Sequence, residues 1–140
     1  MKKIFLSVFL VLLVCNVANA KDLTGTKLLC SWDFELDTGI VFYGLEFTSS
    51  TNVKEYSELD WEVNIIKLNY YVKPDRIDME ISRDFGESVL WRESLKYVPD
   101  RYVDFLIYDC QKKDDEFSFY DFFQDKIDKK SKEAESKNKI

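Results

Sequence analysis

Apolar side chains occupy every second position through most of the chain, and this periodicity limits the folds that it can adopt. The first run places apolar residues at one parity and mostly acidic or polar residues between them: Leu28, Cys30, Trp32, Phe34 and Leu36. Alternation of this kind is typical of a strand with one buried face. Similar runs recur about every 8–12 residues, with Gly, Pro or Asp in the turns between them. The sequence therefore predicts a mainly β fold, an antiparallel up-and-down β-barrel or a sandwich of about 7–8 strands with one short C-terminal α-helix.

The apolar parity changes once within a predicted strand. The apolar residues before the change are Trp61, Val63 and Ile65, and those after it are Ile66, Leu68, Tyr70 and Val72. A shift of one residue turns an apolar set to the opposite face of a sheet. The sequence therefore predicts a β-bulge or a strand break at Ile65-Ile66.

Helical spacing replaces alternation after Cys110. The apolar residues with this spacing are Phe119, Phe122, Phe123 and Ile127. Ser118 offers an N-terminal cap, and lysines cluster at the far end, where the helix dipole favours them. We predict an amphipathic helix over about 118–128 that packs on the sheet, with contact to a partner or a membrane surface as the alternative. Residues 129–140, nearly all charged or polar, are predicted to form a disordered tail.

The chain begins with the parts of an export signal. Lys2 and Lys3 precede the apolar run from Ile4 to Val14, and Ala18-Asn19-Ala20 provides a small-x-small cleavage site. We predict a signal peptide at residues 1–20, cleaved during export by the Sec route, and a periplasmic or secreted bacterial location. Lipid attachment at Cys15 is the alternative, which the bulky Val14 before it disfavours.

No later apolar run reaches the roughly 20 residues that cross a bilayer. The mature chain is therefore predicted to have no transmembrane segment and to form a single β-rich domain over residues 21–128, including the helix. Cys30 and Cys110 are then the two cysteines that remain. In an oxidising compartment two thiols of a small domain are usually joined, so we predict a Cys30–Cys110 disulfide between the first and last strands. Two cysteines without histidine do not make a structural zinc site, and no metal is predicted.

The composition excludes most catalytic mechanisms. The chain has no histidine, which removes Ser-His, Cys-His and His-ligated metal chemistry. No phosphate-binding glycine motif is present, and no cofactor is predicted. The formal net charge is −6, so nucleic acid is a poor partner, whereas a cationic protein is electrostatically acceptable. We therefore predict a protein that is not an enzyme.

Two acidic motifs offer alternatives to a purely structural interpretation. Leu36-Asp37-Thr38-Gly39-Ile40 resembles the Asp-Thr-Gly stretch of aspartic proteases, which would require a homodimer because the mechanism uses two aspartates. Asp33, Glu35 and Asp37 imitate the start of an EF-hand loop, but Gly44 stands where the loop needs a bidentate glutamate. A hairpin turn at Asp37-Thr38-Gly39 and alternating acids on a solvent-facing strand explain both motifs without chemistry.

Aromatic residues are the candidate binding residues. Six of them are spread over the predicted strands: Trp32, Phe34, Trp61, Tyr70, Trp91 and Tyr108. In a small barrel such residues either fill the interior or line a cavity for one small ligand.

The layout resembles that of small lipocalin-like (calycin) barrels. An export signal and Leu23-Thr24-Gly25-Thr26-Lys27 precede the first strand, and a helix follows the last one; the Gly-x-Trp signature of lipocalins is replaced by Gly25-Thr26-Lys27. Periplasmic inhibitors of C-type lysozyme share this layout, with cysteines near both ends. The resemblance implies a binding protein, for a small apolar ligand or for a cationic protein such as lysozyme.

Overall fold

Eight strands and one helix make up the described part of the protein. The computed structural model describes residues 22–33, 40–80, 87–99 and 107–138. Its elements are β1 Lys27–Asp33, β2 Ile40–Phe47, β3 Asn52–Leu59, β4 Glu62–Val72, β5 Arg76–Glu80, β6 Glu87–Trp91, β7 Lys96–Val98, β8 Tyr108–Lys113 and α1 Phe119–Lys137. The predicted turn at Asp37-Thr38-Gly39 lies outside the described residues.

The strands form one closed antiparallel barrel. Each strand pairs with the next one along the chain, and β8 returns to pair with β1. The predicted mainly β fold is confirmed, and of the two forms that the sequence allowed, the up-and-down barrel is the one adopted. We call the end where β1, β3, β5 and β7 finish the mouth, and the opposite end the base.

A disulfide joins the two strands that close the barrel. Cys30 and Cys110 are direct partners in the β1–β8 ladder, with Cα atoms 3.9 Å apart, and their sulfurs are bonded. Both residues are buried in the interior. The predicted disulfide and the predicted pairing of the first and last strands are therefore confirmed.

Alternate side chains from every strand pack together in the barrel interior. The largest side chains that are fully buried there are Tyr97, Phe47, Leu45, Leu68, Met79 and Leu90. Their packing follows from the period of two, which sends every second side chain inward.

The segment before β1 covers the base of the barrel. Leu23 packs against the interior side chains. The Gly25 amide donates to the Phe47 carbonyl over 2.8 Å, and Gly25 has a φ of +84°, which glycine adopts without strain. The Tyr70 hydroxyl donates to the Ser49 carbonyl over 2.8 Å. The Gly25 bond holds the covering segment against the end of β2, and the Tyr70 bond holds the β2–β3 loop beside it at the base.

The predicted β-bulge at Ile65-Ile66 was wrong. β4 is continuous, and it pairs with β3 without interruption from Asn52↔Asn69 to Leu59↔Glu62. Ile66 faces the interior, whereas Val63 faces outward and packs with the residues under the helix. The parity changes because β4 has apolar contacts on both of its faces, so no extra residue is needed.

The helix packs on the outside of the barrel. Ser118 caps it by accepting a hydrogen bond from the Asp121 amide at 3.2 Å. Phe119 and Phe123 are buried against Leu29 and Tyr56, which lie on the outer face of β1 and β3. The predicted packing of an amphipathic helix on the sheet is therefore observed.

The helix is longer than the sequence indicated. It ends at Lys137 instead of about 128, so most of the segment predicted as a disordered tail is helical. Lys130 donates to both carboxylate oxygens of Glu58 on β3, at 2.9 and 2.7 Å. Glu133 and Lys137 also have the i, i+4 spacing that supports an exposed helix. High polarity indicated solvent exposure here, and the sequence analysis misinterpreted exposure as disorder.

A glycine on β2 makes room for the helix, and this predicts an effect on stability. A Cβ atom at Gly44 would collide with the ring of Phe119. We expect Gly44→Ala to lower the free energy of unfolding by about 1–3 kcal/mol, as overpacking does, measured by urea denaturation. In a Phe119→Ala background the added methyl group should cost much less, because the ring that it meets is gone. Equal losses in the two backgrounds would contradict this account.

Candidate functional site

A buried carboxyl group lies inside the barrel. Glu55 is on β3, where its register partners are Leu45 on β2 and Ile66 on β4, and both partners point inward. Its exposed fraction is 8%. The hydroxyl of Tyr97, on β7, donates to Glu55 Oε2. The bond connects β3 with β7, which are not neighbours in the sheet.

Two more tyrosines complete what we call the Glu55 cluster, defined as Glu55, Tyr43, Tyr97 and Tyr108. The ring centroid of Tyr43 lies 5.7 Å from that of Tyr97 and 5.0 Å from that of Tyr108, both edge to face. Trp32 extends the cluster toward the mouth, 6.2 Å from Tyr108. Distances and tilts of this kind are those that aromatic rings prefer, so the rings support one another.

Burial shifts the titration of every member of the cluster. Removal from water raises the pKa of Glu55, and the Tyr97 hydroxyl partly offsets this by stabilising the carboxylate. Burial and the nearby Glu55 raise the pKa of Tyr97 and Tyr108. The pKa of Tyr43 rises to about 12, chiefly through burial. The tyrosines are therefore neutral hydrogen-bonding groups at neutral pH.

Three oxygens of the cluster have unused hydrogen-bonding capacity. Glu55 bonds only through Oε2, and the hydroxyls of Tyr43 and Tyr108 form no hydrogen bond within the described chain. Every fully buried side-chain nitrogen or oxygen of the described residues has a partner. These three oxygens therefore retain accessible surface, and together they offer acceptors and donors to a molecule inside the barrel.

Exposed apolar side chains stand at the mouth, at strand ends and in the β3–β4 turn. They are Val41 (40% exposed), Leu59 (57%), Trp61 (57%) and Ile107 (42%). The two residues of the β3–β4 turn, Asp60 and Trp61, have φ values of 52° and 67°, as in type I′ hairpin turns. We call the four apolar residues the mouth rim. Large exposed apolar groups gathered at one place indicate a contact surface.

The structure separates the aromatic residues that the sequence grouped as a binding set. Trp32 and Tyr108 belong to the interior near the mouth, whereas Tyr70 is inside the barrel at the base, against Phe47. Trp61 is on the mouth rim. Trp91 is on the outer surface, where the Arg76 guanidinium lies 5.9 Å from its ring centroid. Phe34 lies outside the described residues.

The sequence analysis missed Glu55, Tyr43 and Tyr97. All three lie on strands of the barrel. Glu55 is on β3. Its position alternates in phase with the inward-facing Val53. That parity is the signal by which an inward acid could have been found.

Two cavities open on the surface. One, of about 700 Å³, is lined by Pro74, Asp75, Trp91, Arg92, Glu93 and Ser94. Arg92 in it already donates to the carbonyls of Lys73 and Pro74, each at 3.2 Å. The other, of about 230 Å³, lies between α1 and the barrel, and its lining includes Val41 of the mouth rim, Tyr43 of the Glu55 cluster and Lys130, which is paired with Glu58.

Fold and site together define a small closed β-barrel with a polar-aromatic interior beneath an apolar mouth. Comparisons with known family models, curated proteins and solved structures find no match for this chain. In the described ranges no helix has the length and apolarity to cross a membrane. Among the same residues, no group of three His, Cys, Asp or Glu side chains is placed to hold a metal ion. Glu35 and Asp37, from the calcium and protease alternatives, lie outside those ranges.

The buried carboxyl predicts a specific dependence of stability on pH. A carboxyl whose pKa is raised by folding stabilises the fold below its unfolded pKa, and this contribution is lost as pH rises through the folded pKa. Relative to Glu55→Gln, which does not ionise, the protein should therefore lose stability as pH rises above the ordinary glutamate value of 4.5. Melting temperatures of both proteins between about pH 4 and pH 8 measure this difference. The exposed Glu80→Gln variant is the control, and a flat difference profile for Glu55→Gln would refute the prediction.

Proposed function

We propose that the protein is a small exported binding protein that holds an amphiphilic small molecule in its barrel. The ligand's apolar part would contact the mouth rim and Trp32, and its polar group would reach the Glu55 cluster. The proposal rests on one observation, the accessible oxygens of Glu55, Tyr43 and Tyr108 below a group of exposed apolar side chains. Ligand sites combine mostly apolar walls with a few convergent polar groups in this way.

Export and family type belong to the same proposal. The leader-like residues 1–20 suggest secretion, and a buried disulfide suits an oxidising compartment. The eight-stranded up-and-down barrel with a helix on its outside supports the lipocalin-like resemblance that the sequence suggested. We therefore propose a lipocalin-like protein of the periplasm or the extracellular space. A binding role also accords with a chain that has no histidine.

The ligand proposal predicts a stabilisation that depends on the cluster. An amphiphile at a hundred times its dissociation constant should stabilise the fold by about 2.7 kcal/mol, seen as a rise in melting temperature across a panel of fatty acids, alcohols and amines. Tyr43→Phe and Tyr108→Phe should each weaken binding by about 0.5–1.5 kcal/mol, because each loses one hydrogen bond. Calorimetry measures these affinities. Tyr71→Phe, an exposed tyrosine on β4, is the control, and a panel without any effect on melting would end the proposal.

A second candidate function is an interaction with a basic protein, and the β3–β4 turn favours it. Trp61 is 57% exposed there and is flanked by Asp60 and Glu62. An exposed tryptophan among acidic residues fits a cationic partner, because tryptophan often dominates binding energy and charge guides association. A C-type lysozyme is the partner that the sequence resemblance suggested.

This candidate predicts salt-dependent binding that requires Trp61. Affinity for a basic lysozyme should fall between about 50 and about 200 mM salt, because screening weakens charge attraction. Trp61→Ala should cost about 2 kcal/mol of binding free energy, measured by interferometry. Trp91→Ala is the matched control, since Trp91 is also exposed but lies at the base end of β6. Equal effects of the two variants would contradict a specific site.

A further inference from the structure

The described chain contains two buried carboxyl side chains, and their surroundings differ. Asp78 lies on the outer side of β5 and forms ion pairs with Lys73 and with Arg76, the latter at 2.9 Å. Among the described residues no cation is paired with Glu55; it bonds to a neutral hydroxyl through one oxygen. In the described part of the protein the buried polar or charged residues are Glu55, Asp78 and Ser88. Glu55 is thus the one buried acid there that lacks a basic partner.

A carboxyl group in this position lacks the partner that its charged form requires. Burial of a carboxylate is costly unless a positive charge compensates it. One hydrogen bond from Tyr97 compensates part of the cost, while Oε1 has no partner among the described residues. A positive charge brought by a ligand would satisfy Oε1 directly and would favour the ionised form of the group.

The walls around Glu55 favour an organic cation. The rings of Tyr43, Tyr97 and Tyr108 lie within 6.5 Å of one another by their centroids, and Glu55 interacts with all three. Aromatic rings attract ammonium groups that lie within about 6 Å of the ring centroid. An anion would meet the carboxyl group, to which no cation of the described residues is paired, so the same site disfavours fatty acids and phosphates.

We infer that the Glu55 cluster selects a small organic amine in its protonated form, with an apolar body directed toward the mouth rim. This inference rests on the proposed ligand-binding function and adds the chemical class of the ligand. The ammonium group would donate to Glu55 Oε1 and to the hydroxyl oxygens of Tyr43 and Tyr108. The net charge of −6 attracts such a cation toward the protein.

A pair of probes with equal shape and different charge tests the inference. At neutral pH 2-phenylethylamine carries an ammonium group where 2-phenylethanol carries a hydroxyl. Hydrogen bonds to charged groups exceed neutral ones, so the intact mature protein should bind the amine roughly ten to a hundred times more tightly than the alcohol. Calorimetry at constant pH and ionic strength measures both affinities.

Variants assign the preference to Glu55. Glu55→Gln keeps the shape of the side chain and removes its charge, so the amine should lose its advantage while the alcohol changes by no more than about twofold. Tyr71→Phe should leave both affinities unchanged. Should Glu55→Gln not fold, Tyr43→Phe and Tyr108→Phe test the assignment instead, because each removes a hydroxyl oxygen to which the ammonium group would donate, and each should weaken amine binding. An amine affinity that neither variant changes would overturn the inference.

The outcomes separate the inference from the function on which it rests. Equal binding of amine and alcohol, unaffected by Glu55→Gln, would overturn the selectivity for cations and leave the ligand-binding function supported. Binding of neither probe would overturn the inference as well; the ligand-binding function would then be judged by the fatty acids and alcohols of the melting panel. An amine preference that persists in Glu55→Gln would place the cation site elsewhere and would also overturn the inference.

Discussion

The pairing of β8 with β1 is the contact on which the rest of the structure depends, because it turns an open sheet into a closed wall. β8 aligns with β1 over five residue pairs but with the three-residue β7 over only two. The Cys30–Cys110 bridge lies on the stronger side of β8 and joins residues 80 positions apart. In the loop-entropy model such a bridge destabilises the unfolded chain by about 4 kcal/mol. The weak β7 ladder is further supported inside the barrel, where Tyr97 bonds to Glu55.

The helix gives half of the barrel a second apolar layer. The outer faces of β1 to β4 pack against Phe119, Phe123 and their aromatic neighbours, whereas a separate cluster packs in the interior. Strands covered on both sides no longer alternate strictly between apolar and polar residues. Gly44 illustrates the closeness of the contact, since its missing side chain provides the space for the Phe119 ring.

Much of the fold could be predicted from the sequence because local patterns determine it. Period-two alternation and two cysteines were enough to predict the barrel and its disulfide. The predictions of a bulge in β4 and of a helix end at 128 were wrong for a common reason. The true course of both elements depends on tertiary contacts, of Val63 with the helix layer and of Lys130 with Glu58. The site was harder to predict, because the charge of Glu55 suggests exposure to solvent although its parity with Val53 places it inside. The large apolar side chains of Trp61 and Trp91 also suggested an interior position, but both residues are exposed to solvent in the structure.

Stability alone does not account for an acid at position 55. An apolar residue of similar size could be buried at this position without the cost of removing a polar group from water. Replacing buried polar groups by apolar ones is often neutral or stabilising. Tyr97 would then need another acceptor, but a phenylalanine in its place would remove that need. The pair of Glu55 and Tyr97 therefore introduces a cost that the barrel does not require for closure. A role of the carboxyl group in ligand recognition would explain this cost. Burial disfavours the unpaired charge of Glu55, but the same low-dielectric surroundings strengthen its attraction to a bound cation.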